Sequence, residues 1–444
     1  MGDRVQDPTR RGGRTIAEIN ERLRRGEAVV WSAQELKAEV RRGRRPTLDD
    51  VDVVTTATHG IMSGTAAMFS VPVAARGVFA RAARAWLNGV PGFPGPAPNE
   101  RLGYVDVLVY GTTPSRDAPG RYGGGHLFRD LVEGREAEIE VHTDDERRLT
   151  RRFTLGELDF ARMYNLRNAY RNYMAFAHLG GGPPVSTIFG FRPMGPDTGL
   201  TTVGSGELNP LENDPGLRTI RIGSRVLVNA APGLVVGHGT RSTPERPNLS
   251  VVADMFRMDP RYMGGFVTGA GVEVLNSVAV PIPVLDAAVL RTLTDRLDER
   301  IALPVADVRD RVPRGEATYA EVWQGRNLEI GFHPERRCAG CAGGCVAEAA
   351  CPVGAISWSQ TRLDRDRCVR CGACAVLCAG GAFTADLGRV EALGRSWPIT
   401  FRLSDRARAM ELAERLKALM LRGEFLLAEA ETPITHHPPQ GGAG

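Results

Sequence analysis

Cysteine is confined to one short stretch of the chain, with a spacing that suits metal binding. All eight cysteines lie between Cys338 and Cys378. They form two motifs of one design, each with three close cysteines and a fourth further on: Cys338-AG-Cys341-AGG-Cys345-VAEAA-Cys351-Pro352 and Cys368-VR-Cys371-GA-Cys374-AVL-Cys378-Ala379. Disulfide frameworks normally stabilise small secreted domains, whereas this chain has 444 residues. The clustered thiols therefore indicate metal or iron–sulfur chemistry.

The doubled motif predicts two 4Fe-4S clusters. Three thiolates a few residues apart can surround one cubane, whereas in two-cluster ferredoxins the fourth ligates the other cluster. This rule assigns Cys338, Cys341, Cys345 and Cys378 to the first cluster, and Cys351, Cys368, Cys371 and Cys374 to the second. Two structural zinc sites are the alternative, because CxxC pairs also bind zinc. The doubled pattern, Pro352 and the lack of a matching histidine favour iron–sulfur clusters.

Two segments outside the cysteine motifs carry candidate catalytic residues. His59 and Ser63 follow the apolar run from Val51 to Thr56, on a glycine-containing turn of the kind that exposes reacting groups. The alternative for His59 is a histidine that is merely hydrogen-bonded. The segment Tyr122, Gly123, Gly124, Gly125 and His126 offers adjacent backbone amides suited to an anion, with His126 as a third catalytic candidate. A plain flexible loop is the alternative for the glycines.

A polar stretch supplies the candidate substrate-binding side chains. The pattern from Leu158 to His178 predicts a helix, on which Asn165, Asn168 and Asn172 would share a face. A solvated helix more often carries Glu and Lys than repeated Asn and Tyr. We therefore expect a substrate carboxylate to bind Arg167, with the other candidates at Asn168, Tyr170, Asn172 and, on a separate strand, Arg225.

The elements that position these residues predict a mixed fold, α/β or α+β. Amphipathic helices are predicted at 15–25, 32–42, 284–299 and 404–422, and strands at 28–31, 51–56, 105–110, 220–228 and 272–280. The predicted organisation is a disordered N-terminus at 1–13, a large catalytic domain at 14–325, a two-cluster ferredoxin-like module at 330–392, a C-terminal helical segment at 393–430 and a disordered tail at 431–444. The last helix packs on the large domain or on a second subunit of a homodimer.

Composition excludes several classes of function. The net charge of +4, from 56 basic and 52 acidic residues, gives no reason to expect nucleic acid or a membrane surface as partner. Lys37 and Lys417 are the only lysines, and both lie on helix-like charged segments, so neither a pyridoxal phosphate site nor a P-loop is expected. No run reaches the ~20 apolar residues of a membrane helix, and the start lacks a signal-peptide core, which predicts a cytoplasmic protein.

Five segments of the large domain resemble the homocysteine-biosynthesis family. They are VDVVTTATHGIMSGTA at Val51, YGGGHLFRDLVEG at Tyr122, NLRNAYRNY at Asn165, GSGELNPLENDP at Gly204 and TIRIGSRVLV at Thr219. The resemblance runs from about residue 15 to residue 310, and the attached ferredoxin-like module also resembles an architecture of that family. It implies a sulfurtransferase that converts aspartate semialdehyde into homocysteine, with sulfide as the ultimate sulfur source.

The chain departs from the family where sulfur would be carried. We expect family members to have cysteines where this sequence has Ser63, Asp145 and Ala175. A serine hydroxyl is a far poorer sulfur carrier than a thiolate, so sulfur would come from free sulfide, from a cluster-bound sulfide or from a thiocarboxylated carrier protein. The acceptor is a small carbonyl compound, and an external low-potential donor would reduce the clusters. The alternative function is a non-catalytic electron-transfer or scaffold subunit of a sulfur-transfer complex.

Overall fold

The computed structural model describes residues 13–95, 98–196, 198–323, 326, 329–336, 341 and 344–435. Cys338 and most of the two predicted disordered ends, 1–12 and 436–444, lie outside the described residues. Within the described ranges the chain is a mixed α and β protein, as predicted. It has two large sheets. A small cysteine-rich segment lies, in sequence, between the strands Pro313–Thr318 and Arg389–Ala392 of the second sheet.

The larger sheet holds fourteen strands of the described chain. Its members are β1 (Val30–Ser32), β2 (Val53–Ile61), β3 (Thr65–Pro72), β4 (Ala82–Leu87), β5 (Val90–Pro94), β6 (Tyr104–Tyr110), β7 (Ala137–Thr143), β8 (Arg148–Phe153), β9 (Phe160–Asn168), β12 (Arg225–Val228), β13 (Ala231–His238), β14 (Leu249–Asp254), β15 (Gly264–Thr268) and β16 (Gly271–Pro283). The order is β1-β2-β16-β12-β13-β14-β9-β3-β6-β5-β4-β7-β8, with β15 on β16. The predicted strands at 105–110 and 272–280 fall within β6 and β16, and the one at 51–56 overlaps the start of β2 but misses its second half.

A long antiparallel pair, β2 and β16, lies near one end of this strand order. Residues of β2 pair one to one with β16 from Val53 opposite Pro283 to Ile61 opposite Leu275. Nearly every residue of both strands is buried, so both faces of the sheet are covered here. Strands buried on both faces read as continuous runs of β-branched and apolar residues rather than as alternation. The runs in this sequence have that character.

The second sheet joins the chain before and after the cysteine-rich segment. It comprises β10 (Ala175–Ala177), β11 (Leu200–Thr202), β17 (Ala302–Asp307), β18 (Pro313–Thr318), β23 (Arg389–Ala392) and β24 (Arg395–Arg402) in the order β18-β17-β10-β11-β24-β23. Strand β24 lies parallel to β11 in the middle of this order. The predicted boundary at 392/393 is therefore wrong, because it cuts the hairpin of β23 and β24, and residues 395–402 are a strand rather than part of a helical segment.

Nine α-helices are present in the described residues. They are α1 (Ile16–Arg25), α2 (Ala33–Arg41), α3 (Gly124–Val132), α4 (Pro210–Asn213), α5 (Ala287–Asp295), α6 (Tyr319–Trp323), α7 (Val346–Ala349), α8 (Ala373–Leu377) and α9 (Arg406–Leu421). The predicted helices at 15–25, 32–42, 284–299 and 404–422 correspond to α1, α2, α5 and α9. Helix α1 begins at the capping box of Thr15 and Glu18. Leu412 and Leu416 of α9 pack with Val53 of β2 in one apolar cluster. None of the helices described has the length and apolar character needed to cross a membrane.

The predicted helix at 158–178 is wrong. Residues 160–168 form β9, which pairs with β3 on one side and β14 on the other, and residues 175–177 form β10. Along most of β9 burial alternates, with Ala161, Met163 and Asn165 inward and Arg162 and Tyr164 turned outward. Alternation with a period of two is the signature of a half-buried strand. The face shared by Asn165, Asn168 and Asn172 does not exist.

The cysteine-rich segment consists of two similar halves. The first runs β19 (Gly331–Phe332), α7, β20 (Ile356–Ser357), and the second runs β21 (Arg362–Leu363), α8, β22 (Phe383–Thr384). The outer strands β19 and β22 pair with each other, and so do the inner strands β20 and β21. Each half thus consists of a strand, a helix and a strand. Each strand pairs with a strand of the other half, which relates the two halves by an approximate twofold axis.

Candidate functional site

The main pocket lies where the end of β2, the chain after β9 and the end of β24 meet. It has a volume of about 130 Å³. Its lining includes three guanidinium groups, from Arg167, Arg241 and Arg311, and the polar side chains of Ser63, Tyr170, Asn172, Asn209 and Ser404. Its apolar wall includes Ile61, Met62, Tyr173, Phe189 and Leu403. The pocket therefore combines an apolar wall with neutral polar and cationic side chains.

Four of the predicted site residues meet in this pocket. Ser63 lies in the turn between β2 and β3, Arg167 near the end of β9, and Tyr170 and Asn172 in the loop that follows. A Cβ on Gly64 would lie 2.8 Å from Cβ of Arg167, so this glycine lets the turn and β9 share one wall. Candidates from two separate segments of the sequence thus lie in one pocket, although the helix predicted for the second segment is wrong.

The loop after β9 is held by side-chain amides. Asn172 donates to the carbonyl oxygen of Gly206 at 2.9 Å and accepts from the Gly206 amide at 3.1 Å. Asn209 donates to the carbonyl oxygen of Tyr170 at 2.7 Å. Burial raises the pKa of Tyr170, and the nearby Arg167 and Arg241 oppose that rise. These hydrogen bonds fix the loop that carries Tyr170 and Asn172 at the edge of the pocket.

Three predicted residues lie away from the main pocket lining. His59 is inside β2, which continues to Ile61, so the predicted position on a turn is wrong. Its Nδ1 is 2.7 Å from Oγ of Ser277, and burial lowers its pKa well below the usual range. Asn168 is fully buried, and its Oδ1 accepts from the Ala169 amide. Arg225 places its guanidinium 4.7 Å over the ring of Phe425.

The glycine run before α3 does not form the predicted anion site. The Gly123 amide donates to Nδ1 of His126 at 3.2 Å, that of Gly124 to the Thr113 carbonyl at 3.0 Å and that of Gly125 to the Gly111 carbonyl at 2.8 Å. All three amides are therefore occupied within the protein. A Cβ at Gly124 would lie 2.1 Å from a backbone oxygen, so close packing rather than ligand binding requires glycine here.

His126 lies instead in a second pocket, between α3 and the cysteine-rich segment. Its ring stacks on Tyr122 with 5.5 Å between centroids, and the Tyr122 hydroxyl donates to Asp130 at 2.8 Å. Burial lowers the pKa of His126 to about 4, so the ring is neutral at pH 7. Arg367, next to Cys368 in sequence, lines this pocket as well.

Four of the predicted cluster ligands surround one small apolar cavity. Cys351 from the first motif lies there with Cys368, Cys371 and Cys374 from the second. Burial raises the pKa of the Cys368 thiol to about 11 and that of Cys374 to about 12. The Ala355 amide donates to Sγ of Cys351 at 3.2 Å. Thiols in this environment stay protonated unless a metal takes the place of the proton.

Four thiols placed around one apolar cavity fit the donor set of a 4Fe-4S cubane. Among the described residues no three His, Cys, Asp or Glu side chains converge as around one metal ion. In a cubane each thiolate binds a different iron, so the four sulfurs stand around a cavity instead of meeting at a point. Cys345 packs in the same apolar cluster as Cys378, and their predicted fellow ligand Cys338 lies outside the described residues.

The cysteine cavity and the main pocket share one packed region. Cys371 belongs to the same apolar cluster as Phe189 and Leu403, which line the main pocket. The Arg402 amide, next to Leu403, donates to the carbonyl oxygen of Cys371 at 2.9 Å. A buried arginine at the start of α9, Arg408, donates to the carbonyl oxygens of residues 365, 366 and 368. The cysteine loop is therefore fixed directly behind the wall of the main pocket.

Comparison with known proteins identifies the family. The family model described as "Homocysteine biosynthesis enzyme, sulfur-incorporation" matches residues 28–427. The chain belongs to this family. The match extends across the cysteine-rich segment to β24 and α9, in agreement with a segment inserted into one domain. No solved structure matches the chain.

Three relatives place the chain within this family. An uncharacterized protein of Methanothermobacter thermautotrophicus is 47% identical over 93% of this chain and 94% of its own length. The L-aspartate semialdehyde sulfurtransferases of Methanocaldococcus jannaschii and Methanosarcina acetivorans are 31% and 30% identical, each over 70% of this chain. The match covers 63% of each of these two enzymes, so this chain spans less than two thirds of their length.

In this member of the homocysteine biosynthesis family, no thiol is among the described residues that line the main pocket. All of its cysteines lie at or beyond Cys338, and none of those described lines the pocket. At the turn where we expect a family cysteine the chain has Ser63, whose hydroxyl contacts the carboxyl of Glu273. Sulfur for any transfer in this pocket would therefore be delivered from outside the large domain.

Sequence reasoning missed three charged residues of this region. Glu273 is buried behind Ser63, burial raises its pKa, and its Oε2 has no hydrogen-bond partner in the described structure. It is the single acid in the apolar run 272–280, and that isolation was the available signal. Arg241 and Arg311 line the pocket from loops distant in sequence. Nothing in their local sequence distinguishes them from the chain's many other arginines.

Proposed function

We propose that the protein is a reductive sulfur-incorporating enzyme. It would add sulfide-derived sulfur to a carbonyl compound in the main pocket and reduce the product to a thiol, with electrons from two 4Fe-4S clusters. The default acceptor is aspartate semialdehyde, which would yield homocysteine. The observation that carries the proposal is the shared packing of Cys371 and Leu403, because it sets the predicted cluster ligands directly behind the pocket wall.

The chemistry explains why a reductant belongs beside such a pocket. Addition of sulfide to an aldehyde and loss of water give a thioaldehyde, which becomes a thiol on gaining two electrons and two protons. When bound, the two clusters would supply those electrons one at a time. An external low-potential donor would restore them.

The chain's own residues have distinct tasks in this proposal. Arg167 binds an anionic group of the acceptor through its guanidinium fork. The hydroxyls of Ser63 and Tyr170 donate hydrogen bonds towards the carbonyl oxygen, on which negative charge develops as sulfide adds. Asn172 and Asn209 hold the loop that carries Tyr170. The apolar wall around Leu403 and Phe189 limits the access of water to the reacting carbon.

The sulfur donor enters from outside the pocket. No described lining residue is a thiol, so the donor is sulfide itself or a thiocarboxylated carrier protein. A serine at position 63 shapes the pocket and donates a hydrogen bond but carries no sulfur. This distinguishes the proposed reaction from one that proceeds through a persulfide on the large domain.

The same missing thiol favours a second candidate function. A non-catalytic electron-transfer or scaffold subunit would keep the cluster ligands and the fold, and a partner sulfurtransferase would perform the carbon–sulfur chemistry. The test is an anaerobic incubation of the purified, reconstituted protein with sulfide, dithionite and candidate aldehydes. Thiol formation without a partner protein supports the enzyme, and thiol formation only after addition of a partner supports the subunit.

A further inference from the structure

We propose that the acceptor in the main pocket is an aldehyde or ketone with two anionic groups and no ammonium group. Arg167, Arg241 and Arg311 would hold the two anions. This inference rests on the proposed function for the identity of the reacting carbonyl, but its binding part stands on the pocket alone. It departs from aspartate semialdehyde, which carries one carboxylate and one ammonium.

The first observation is the uncompensated charge of the pocket. Its described lining has three guanidinium groups and no carboxylate. None of the three forms an ion pair with a described carboxylate within 4.0 Å, whereas close sequence neighbours do: Arg171 pairs with Glu212 at 3.0 Å and Arg309 with Asp307 at 2.6 Å. The arginines of the pocket thus differ from those beside them.

The second observation is the backbone of the two outer arginines. Arg241 and Arg311 both have φ of 60°, in the left-handed region that a side chain with Cβ adopts only at a cost. Residues held in such conformations concentrate at ligand sites, where the surrounding structure imposes the geometry. Glycine would relieve the cost at either position but would remove a guanidinium from the pocket.

The third observation is that neighbouring groups position two of the side chains, those of Arg167 and Arg311, and tie the backbone before Arg241 to Arg167. Nε of Arg167 donates to Oγ1 of Thr240 at 3.0 Å, which ties Arg167 to the residue before Arg241. The Thr240 amide donates to the Leu166 carbonyl at 2.8 Å, so the two segments are also joined through their backbones. The guanidinium of Arg311 lies 5.0 Å over the ring of Phe189, which lines the same pocket. All three arginines line one pocket, and none of them forms a direct ion pair with a described carboxylate, although Arg167 also feels the charge of the buried Glu273.

The pocket also offers little to an ammonium group. The side-chain oxygen of Asn172 already accepts from Gly206, that of Asn209 from Leu211, and Oγ of Ser404 accepts from Gly204. Glu273 is buried behind Ser63 and is not part of the lining. An ammonium would therefore face three arginines, and the carboxyl of Glu273 behind Ser63 already contacts the Ser63 hydroxyl and attracts Arg167. Two anionic groups on the acceptor would instead offset most of the positive charge.

The test is equilibrium binding of simple probes to the cluster-loaded full-length protein, measured by anaerobic calorimetry without sulfide or reductant. Succinate carries two carboxylates, L-aspartate adds an ammonium to them, and propionate has a single carboxylate. We expect succinate to bind at least about tenfold more tightly than either of the others, because one charged hydrogen-bonded contact is worth a factor of this order. Equal affinity for succinate and L-aspartate would overturn the proposal.

Three variants connect the preference to the residues. Arg241→Gln and Arg311→Gln should each weaken succinate on the order of tenfold and change propionate less, provided that thermal melting shows an intact fold. Arg257→Gln is the matched control, because Arg257 is exposed, forms no ion pair in the described structure and lies outside the pocket. An equal loss in the control, or no loss in either pocket variant, would contradict the assignment. Failure of thiol formation would refute the proposed function without altering these affinities.

Discussion

The most specific prediction concerns which cysteines share a cluster. Cys351 belongs to the first sequence motif but lies around one cavity with Cys371 of the second, whereas Cys345 lies outside that cavity. Replacing Cys351 or Cys371 by alanine should therefore empty the same site, although the two residues are in different motifs. Replacing Cys345 should empty the other site.

The iron content follows from this arrangement. Two cubanes hold about eight irons and eight acid-labile sulfides per chain, and each single alanine variant should retain about four of each. The double variant Cys351→Ala with Cys371→Ala should also retain about four, because both changes affect one cluster. The double variant Cys345→Ala with Cys371→Ala should retain almost none.

The assay is iron and sulfide analysis of anaerobically reconstituted protein, with electron paramagnetic resonance of the reduced form to count the remaining clusters. The comparison of the two double variants is internally controlled, since each removes two cysteines. If the double variant at 351 and 371 lost all its iron, the ligand exchange between the motifs would be wrong. Stoichiometric zinc without visible absorbance would refute both clusters.

Three further predictions concern single side chains. Arg167→Lys should raise the KM of an acidic acceptor about tenfold with a smaller change in kcat, because the bidentate guanidinium fork is lost. Steady-state kinetics measures both constants, and an unchanged KM would exclude this contact. Burial lowers the pKa of His126 from 6.5 to about 4. The free energy of unfolding should therefore fall by up to about 3 kcal/mol as the pH drops through this range, because the buried ring resists protonation. Urea unfolding of His126→Gln should show a smaller fall over the same range. Burial raises the pKa of Glu273 above 4.5, so ionisation of this carboxyl destabilises the folded state as the pH rises through that pKa. Glu273→Gln should therefore have a higher melting temperature than the wild type at pH 7, and the difference should vanish near pH 4. A difference that grew on acidification would refute the assignment.

Residue chemistry allowed more of the site to be predicted than local pattern did. The cysteine spacing predicted the two-half segment and the pairing that brings Cys351 to the second motif. The unusual polar run indicated Arg167, Tyr170 and Asn172 as substrate-binding candidates, and all three line the main pocket. The same run was assigned to a helix, since its alternating burial is visible only after the partners of β9, namely β3 and β14, are known.

The errors have common physical causes. The glycine run 123–125 is compatible with an open amide nest and with close packing, and only the tertiary partners of the three amides decide between them. His59 was placed on a turn because its glycine neighbour reads as a strand end, but β2 continues to Ile61 against β16. Arg241 and Arg311 reach the pocket through contacts between distant segments, which local sequence does not encode.

Single-turnover thiol formation tests the central claim most directly. The reconstituted protein, reduced once and freed of excess reductant, would be mixed with sulfide and an anionic aldehyde, and the thiol trapped and quantified beside Cys371→Ala. Two clusters hold about two electrons, so we predict close to one thiol per chain, and close to none from the variant, whose substrate binding should remain intact. Equal thiol formation by both proteins, or none by either with every candidate acceptor, would contradict a reductive sulfur-incorporating enzyme.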